Sequence, residues 1–296
     1  MTASTGAEGD PFLEHRRLLF TVAYEMLGSA ADAEDVVQET WLRWADVDRG
    51  AVQDPRAYLV RIVTRQALNR LRTMARRREE YVGEWLPEPL LTAPDVAEDV
   101  ELAESVSMAM LTVLETLTPT ERAVFVLREV FDTPYAEIAE AVGKSVAAVR
   151  QVAHRARDHV AARRPRMQVS RAEQEAVIER FVRALLTGDV QGLLDVLAPD
   201  VTLLADGGGV VDAARIPIAG AETVSRLLGM FATRGPRGAT VAPTSVNGAP
   251  AARIDVDGVL DTAVSFVVED GRISRIYAVR NPHKLHWLDT AAELTR

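Results

Sequence analysis

The chain has 296 residues, 48% of them hydrophobic, and no cysteine, so two or three domains can each bury a core, while disulfide frameworks, thiolate metal sites and cysteine nucleophiles are excluded. No apolar run reaches bilayer-spanning length, and MTASTGAEGD lacks the basic and hydrophobic regions of a secretory signal; residues 1–10 read as a flexible tail of a cytoplasmic protein. The net charge of −9 would argue against a nucleic-acid partner if charge were evenly spread, but nine arginines and one acid lie between Arg49 and Arg78, and seven acids and no base between Glu84 and Glu104.

Residues 11–80 read as a helical domain. In HRRLLFTVAYEML, Leu18, Leu19, Val22, Ala23 and Met26 follow helical spacing, and Gly28 stops the helix. Ser29 caps the next helix in a box-like S-x-x-D with Asp32, and that helix is expected to bury Val36, Val37, Thr40, Trp41 and Trp44 while its other face stays acidic. After a loop, Asp54-Pro55 opens a long helix. At about 100° per residue, Arg61, Arg65, Arg72 and Arg76 fall within a stripe roughly 60° wide, opposite Leu59, Ile62, Val63, Ala67, Leu71 and Met74. Like charges so aligned repel and call for a compensating anion, for which nucleic-acid phosphate competes with plain solvation.

Residues 81–97, rich in breakers and without periodicity, read as a linker, and residues 98–166 as a second helical domain. Thr118-Pro119 starts one helix. In TPYAEIAEAVGKSVAAVRQVAHRARDHV a short helix carrying Ile138, Ala139 and Val142 meets a turn at Gly143-Lys144, and Ser145 caps a second helix: helix-turn-helix spacing. Burying Val149, Val152, Ala153, Ala156 and Val160 leaves Ala147, Arg150, Gln151, His154, Arg155 and Asp158 outward, a set suited to the major groove, although any exposed helical hairpin shares the periodicity.

Residues 170–296 read as an α+β domain. Helices at about 171–187 and 189–197 precede short alternating strands (VTLLA, ATVAPTSV, AARIDVDG, VLDTAVSFVVEDG and RISRIYAVRN), with hairpin signals at Asp257-Gly258 and Asp270-Gly271. A curved antiparallel sheet wrapped on helices is expected.

SADAEDVVQETWLRW with the arginine helix resembles domain 2 of bacterial extracytoplasmic-function sigma factors. LTPTERAVFVLREVFDTPYAEIAEAVGKSVAAVRQVAHRAR resembles their domain 4. Residues 170–290 resemble a SnoaL-like domain of the nuclear transport factor 2-like superfamily, fused at the C-terminus, and WLPEP, DGGG and NPHKL match that fused subgroup. The implied fold is two all-α domains plus a C-terminal α+β conical barrel. The resemblance implies that Asp32, Glu34, Asp35, Gln38 and Glu39 dock on the polymerase β′ clamp helices. It implies that the segment bearing Arg61, Arg65, Arg72 and Arg76 binds and opens the minus-ten element, and that Arg150, Gln151, His154 and Arg155 read the minus-thirty-five element. Trp85, Pro87, Asp206, Gly207, Gly208, Gly209, Asn281, Pro282, Lys284 and Leu285 are the interdomain regulatory residues it implies. Val210 and His283 depart from the subgroup's lysine after DGGG and aspartate in NPDKL, which puts the strength of those domain contacts in question.

A competing class is an enzyme with an attached DNA-binding module, since SnoaL-like folds include isomerases and cyclases. Its available acid/base groups are Asp206, Asp212, His283 and His286, and they form no spaced motif. His283 and His286 without a placed carboxylate make a weak metal site, and contiguous glycines do not match a dinucleotide fingerprint. Trp41 and Trp44 could stack on bases, but their helical spacing favours packing or a partner-facing surface. No cofactor, metal or membrane is expected; a small-molecule or protein ligand of the C-terminal domain stays open.

Overall fold

The computed structural model describes residues 9–92, 96, 99–164 and 169–296, with the side chains of 75–78, 232 and 233 outside that description. The expected tail therefore lies largely outside the described residues. Its last residue is fixed, however: Asp10 is 5% exposed, caps α1 (Pro11–Leu27) through Phe12 N–H at 2.9 Å, and accepts Trp44 Nε1–H at 3.0 Å. Gly28 ends α1 at φ 65°, and Ser29 caps α2 (Ala30–Ala45). Val36, Val37, Thr40 and Trp44 are buried as expected, but Trp41 is 36% exposed and rests on Phe12, because it sits at the edge of the buried arc. The long helix is α3 (Pro55–Glu79), with Leu59, Val63, Ala67, Leu71 and Met74 buried and Ile62 half-buried.

After the linker come α4 (Val100–Val106), α5 (Met108–Leu114) and α6 (Pro119–Phe125), the last opened by a capping box between Thr118 and Glu121. Its run widens into a π-helical turn at Val126–Val130, closed by Phe131 N–H on the Val126 carbonyl. Helices α7 (Tyr135–Val142) and α8 (Val146–Ala161) form the helix-turn-helix, with Gly143 at φ 69° in the turn.

The C-terminal domain begins with α9 (Arg171–Thr187) and α10 (Val190–Val196), followed by β1 (Leu197–Asp206), β2 (Ile218–Ala219), α11 (Ala221–Gly229) and α12 (Phe231–Arg234). Strands β3 (Ala239–Val246), β4 (Ala249–Val256), β5 (Val259–Glu269) and β6 (Arg272–Val279) complete one sheet of order β2-β1-β6-β5-β4-β3. The sheet is mixed, not purely antiparallel: three hairpins return β6 to β1 running in the same direction. Each hairpin turns on an Asx-Gly pair with both φ positive: Asn247-Gly248, Asp257-Gly258 and Asp270-Gly271.

One buried cluster runs from Phe12 through α1–α8 to Val160 and takes in Leu294 near the C-terminus, so the two helical domains share a core. A second fills the space between the sheet and α9–α11. A third joins Leu86 of the linker and Met108 and Ala109 of α5 to the other face of the sheet, at Val246, Ala263, Val267 and Tyr277. That explains why β5 is buried continuously from Thr262 to Val268 instead of alternating: both its faces are covered.

Candidate functional site

The helix-turn-helix presents one open face. Because Val149, Val152, Ala153, Ala156 and Val160 are buried, Arg150, Gln151, His154 and Arg155 all point outward and are exposed. His154 Nδ1 lies 2.8 Å from Asp158 and Arg155 lies 3.9 Å from Glu121, while the Arg150 guanidinium sits 5.7 Å from the Tyr135 ring centroid. Glu121 is held below the usual carboxylate range, first by the Thr118 hydroxyl and then by the Thr118 amide and Arg155.

The arginine stripe of α3 is already engaged. Arg61 pairs with Glu140 of α7 at 2.9 Å, and Arg65 donates to the backbone carbonyls of Glu140 at 2.8 Å and Ala141 at 3.4 Å. These carbonyls belong to the C-terminal end of α7, where a helix leaves acceptors unsatisfied and its dipole favours a cation. Part of the compensating negative charge is thus internal. Arg72 is exposed and bonds Asn69 Oδ1 at 3.1 Å; the Arg76 side chain lies outside the described residues.

The polar face of α2 is tied down by Arg70, which lies 3.4, 3.1 and 3.6 Å from Asp32, Asp35 and Glu39. Gln66 donates to Glu39 at 2.9 Å, Arg16 pairs with Glu34, and Gln38 is exposed. Sequence reading assigned Arg70 no such role.

The linker, the end of β1 and the tail meet in a buried latch. Asp206 is fully buried, and its Oδ2 accepts Leu86 N–H at 2.9 Å and Lys284 Nζ at 2.8 Å. Its Oδ1 accepts the Tyr81 hydroxyl and Gly208 N–H. Its carbonyl accepts Arg280 N–H at 2.7 Å and Asn281 N–H at 2.9 Å. Lys284 also donates to the Leu86 carbonyl at 2.6 Å and lies 3.3 Å from the Trp85 ring centroid. Asn281 Nδ2 donates to Tyr81, whose hydroxyl is pushed up by burial first and by Asp206 second. The glycines provide close approach: a Cβ on Gly208, at φ 62°, would sit 2.3 Å from Asn281 Nδ2, and one on Gly207 2.4 Å from the Val211 carbonyl. Pro87 and Leu285 are buried nearby; Pro282, His283 and Val210 are exposed.

Three further groups extend the latch and were missed from sequence. Glu88 of the linker accepts Ala30 N–H at 2.7 Å, Ala31 N–H at 3.2 Å and the Ser29 hydroxyl at 2.9 Å, so the linker caps α2. Burial raises its carboxyl above the usual range, against those three bonds. Asn247, at a hairpin tip, is fully buried: its Nδ2 donates to the Tyr24 hydroxyl at 2.6 Å and the Val106 carbonyl at 2.8 Å, and its Oδ1 accepts Leu90 N–H at 2.9 Å. The Asn-Gly pair signals the turn, but nothing local signals its insertion between α1, α4 and the linker. Glu25 of α1, the third group, is fully buried, accepts the Ser105 hydroxyl of α4 at 2.8 Å, and faces Arg122 of α6, itself 2.7 Å from Glu115. The last residues strap the same face: Ala292 N–H bonds the Leu91 carbonyl at 2.7 Å, Thr295 N–H bonds the Thr21 hydroxyl at 3.1 Å, and Arg296 pairs with Asp99 and Glu101.

Two helical units, one of them a helix-turn-helix with an exposed basic face, joined to a curved-sheet domain define the class: a transcription regulator with a fused α+β domain. Family profiles agree, sigma-70 region 2 matching residues 12–78 and sigma-70 region 4 residues 107–160. The chain is 39% identical over 285 residues to the ECF RNA polymerase sigma factor SigJ of Mycobacterium tuberculosis, covering 91% of this chain and 90% of that protein. It is 32% identical to the probable ECF sigma factor SigI of the same species, covering 92% of each. The crystal structure of SigJ superposes with a TM-score of 0.74 at 36% identity, over 92% of this chain and 96% of that one. The chain belongs to the extracytoplasmic-function sigma factors, which bind core RNA polymerase and promoter DNA. Among the described residues no helix is long and apolar enough to cross a membrane, and no cluster of three or more potential metal ligands occurs.

Proposed function

We propose that this sigma factor is held closed in cis by its SnoaL-like domain and acts in the cytoplasm only after its helical domains separate. The observation that carries this reading is the contact of Arg61 and Arg65 with α7, which occupies the α3 face meant for promoter DNA. Elements about 25 base pairs apart are separated by roughly 85 Å along B-DNA at ~3.4 Å per pair, whereas here α3 touches the helix-turn-helix. In the open form Arg61, Arg65, Arg72 and Arg76 engage the minus-ten element, and Arg150, Gln151, His154 and Arg155 the minus-thirty-five element. Asp32, Glu34, Asp35, Gln38 and Glu39 face the β′ clamp helices. Asp206 to Gly209, the NPHKL tail and Trp85 and Pro87 hold the closed form.

Transcription in vitro with core polymerase tests the closed form. Glu140→Arg places like charge against Arg61 and leaves every assigned DNA-binding residue in place. An exposed pair of this kind is typically worth about 0.2–1 kcal/mol, and the substitution adds repulsion to its loss, so promoter-directed transcript should rise by about 1.4-fold to fivefold; an unchanged level overturns the reading. Recognition is tested separately: Arg150→Ala and Arg155→Ala should weaken promoter binding, and the log–log salt slope should fall by about 0.9 for each phosphate left without its arginine. Parental binding by both variants at every salt concentration rejects the recognition face.

The role assigned is non-catalytic. Asp206 sits in the latch, Asp212 lines a separate cavity, and His283 and His286 are exposed on the tail, so the four acid/base groups weighed from the sequence are not gathered at one place.

A further inference from the structure

The sheet, α9, α11 and α12 enclose a cavity of about 490 Å³, within the ~300–1,000 Å³ typical of small-molecule sites. Its walls are mostly apolar, with Phe181, Leu203, Val264 and Ile276 among them. Leu227 and Met230, 39% and 41% exposed, give it an apolar mouth. Its charged groups are two acids, Asp212 and Asp261, and two bases, Arg234 and Arg280. Asp261 and Arg280 pair through two bonds of 3.0 and 3.1 Å, and Arg280 also donates to the Asp212 carbonyl. Arg234 and the Asp212 carboxylate have no ion pair among the described residues, but both residues are exposed and keep their water at the edge, so the apolar interior offers only the mutually paired Asp261 and Arg280. A charged ligand drawn in there would lose its hydration without a free counter-ion beside it, whereas a neutral oxygen can share the existing donors.

The same arginine joins the cavity to the latch. Its side chain lines the wall, while its own N–H and that of Asn281 bond the carbonyl of Asp206, whose carboxylate holds Tyr81, Leu86 and Lys284. We infer that the cavity binds a neutral, largely apolar small molecule carrying one hydrogen-bonding oxygen, and that engagement of this oxygen by the Arg280–Asp261 pair changes the hold of Asp206 on the linker. The regulatory consequence rests on the cis-inhibition reading; the binding site does not.

Nile red, a neutral apolar dye with one carbonyl, is the probe, used with the full chain. Saturable one-to-one binding is expected. Ala278→Phe in the wall and Leu227→Glu at the mouth should each raise Kd by about tenfold or more, while Ile216→Asp, on an exposed position outside the cavity, should leave it unchanged. Circular dichroism checks folding, and the mouth variant serves if the wall variant does not fold. Absence of saturable binding, or parental affinity in the folded cavity variants, overturns the site. Hydrogen exchange of the Leu86 amide should change by about threefold or more at dye saturation; an unchanged rate overturns the coupling. Failure of Glu140→Arg to raise transcription, with dye binding and exchange as expected, rejects cis inhibition alone.

Discussion

Lys284→Met is expected to lower the stability of domain docking by about 3–5 kcal/mol, the range for breaking a buried ion pair from one side. Lys284 is 3% exposed and Asp206 fully buried, so losing the ammonium leaves a carboxylate with no water to replace it. Methionine keeps the stem packed near Trp85, which confines the change to charge and hydrogen bonding. Asp206→Asn should be costly by the same logic, and the double variant should cost clearly less than the sum of the two. Urea unfolding, followed by linker tryptophan fluorescence for the first transition, gives all three values. Strict additivity would show that the two groups do not act as a pair.

Stability should also fall as pH rises toward 8. Burial raises the Glu25 carboxyl to about 8, against the lowering effects of the Ser105 hydroxyl and Arg122, and among the described residues Glu25 Oε2 has no hydrogen-bond partner to favour its charged form. Arg122, lowered to about 9 by burial and raised in part by Glu25, remains charged across that range. A carboxyl with a raised folded pKa binds its proton more tightly when folded. Its contribution is therefore complete below about 4.5, and it is lost as pH climbs through about 8, at up to ~1.4 kcal/mol per pH unit. Glu25→Gln keeps an acceptor for Ser105 and does not titrate. It should match the parent near pH 5, surpass it at pH 8 and flatten the profile; equal slopes for the two proteins would remove Glu25 as the cause.

Local physics made much of this molecule legible. The caps at Ser29, Thr118 and Ser145, the periodicity of α8 and the turns at Asp257-Gly258 and Asp270-Gly271 all specify structure within a few residues, and they stand where the sequence places them. The parallel β1–β6 pairing depends on how three hairpins return the chain, which no short window contains. The latch is harder still. Glu88 bonds residues 57 to 59 positions away and Asn247 one 223 away, so neither reads as more than a linker acid and a turn residue until the tertiary fold brings them together. The family resemblance named Asp206 and Lys284; spacing alone did not.

Helix α8 ends at Ala161 and α9 begins at Arg171, so under the cis inhibition proposed above the restraining domain stays close to its target at fixed one-to-one stoichiometry. A short connection holds the two at an effective concentration of about 1 mM. A docking surface with a separate-chain Kd of ~10 µM would then leave only about 1% of molecules open, and a tenfold loosening would raise that to about 9%. Expressing more of the protein cannot change either figure, since each copy carries its own restraint. Under that proposal, output is set by chemistry that acts on the contact itself, and not by titration against a separately encoded inhibitor.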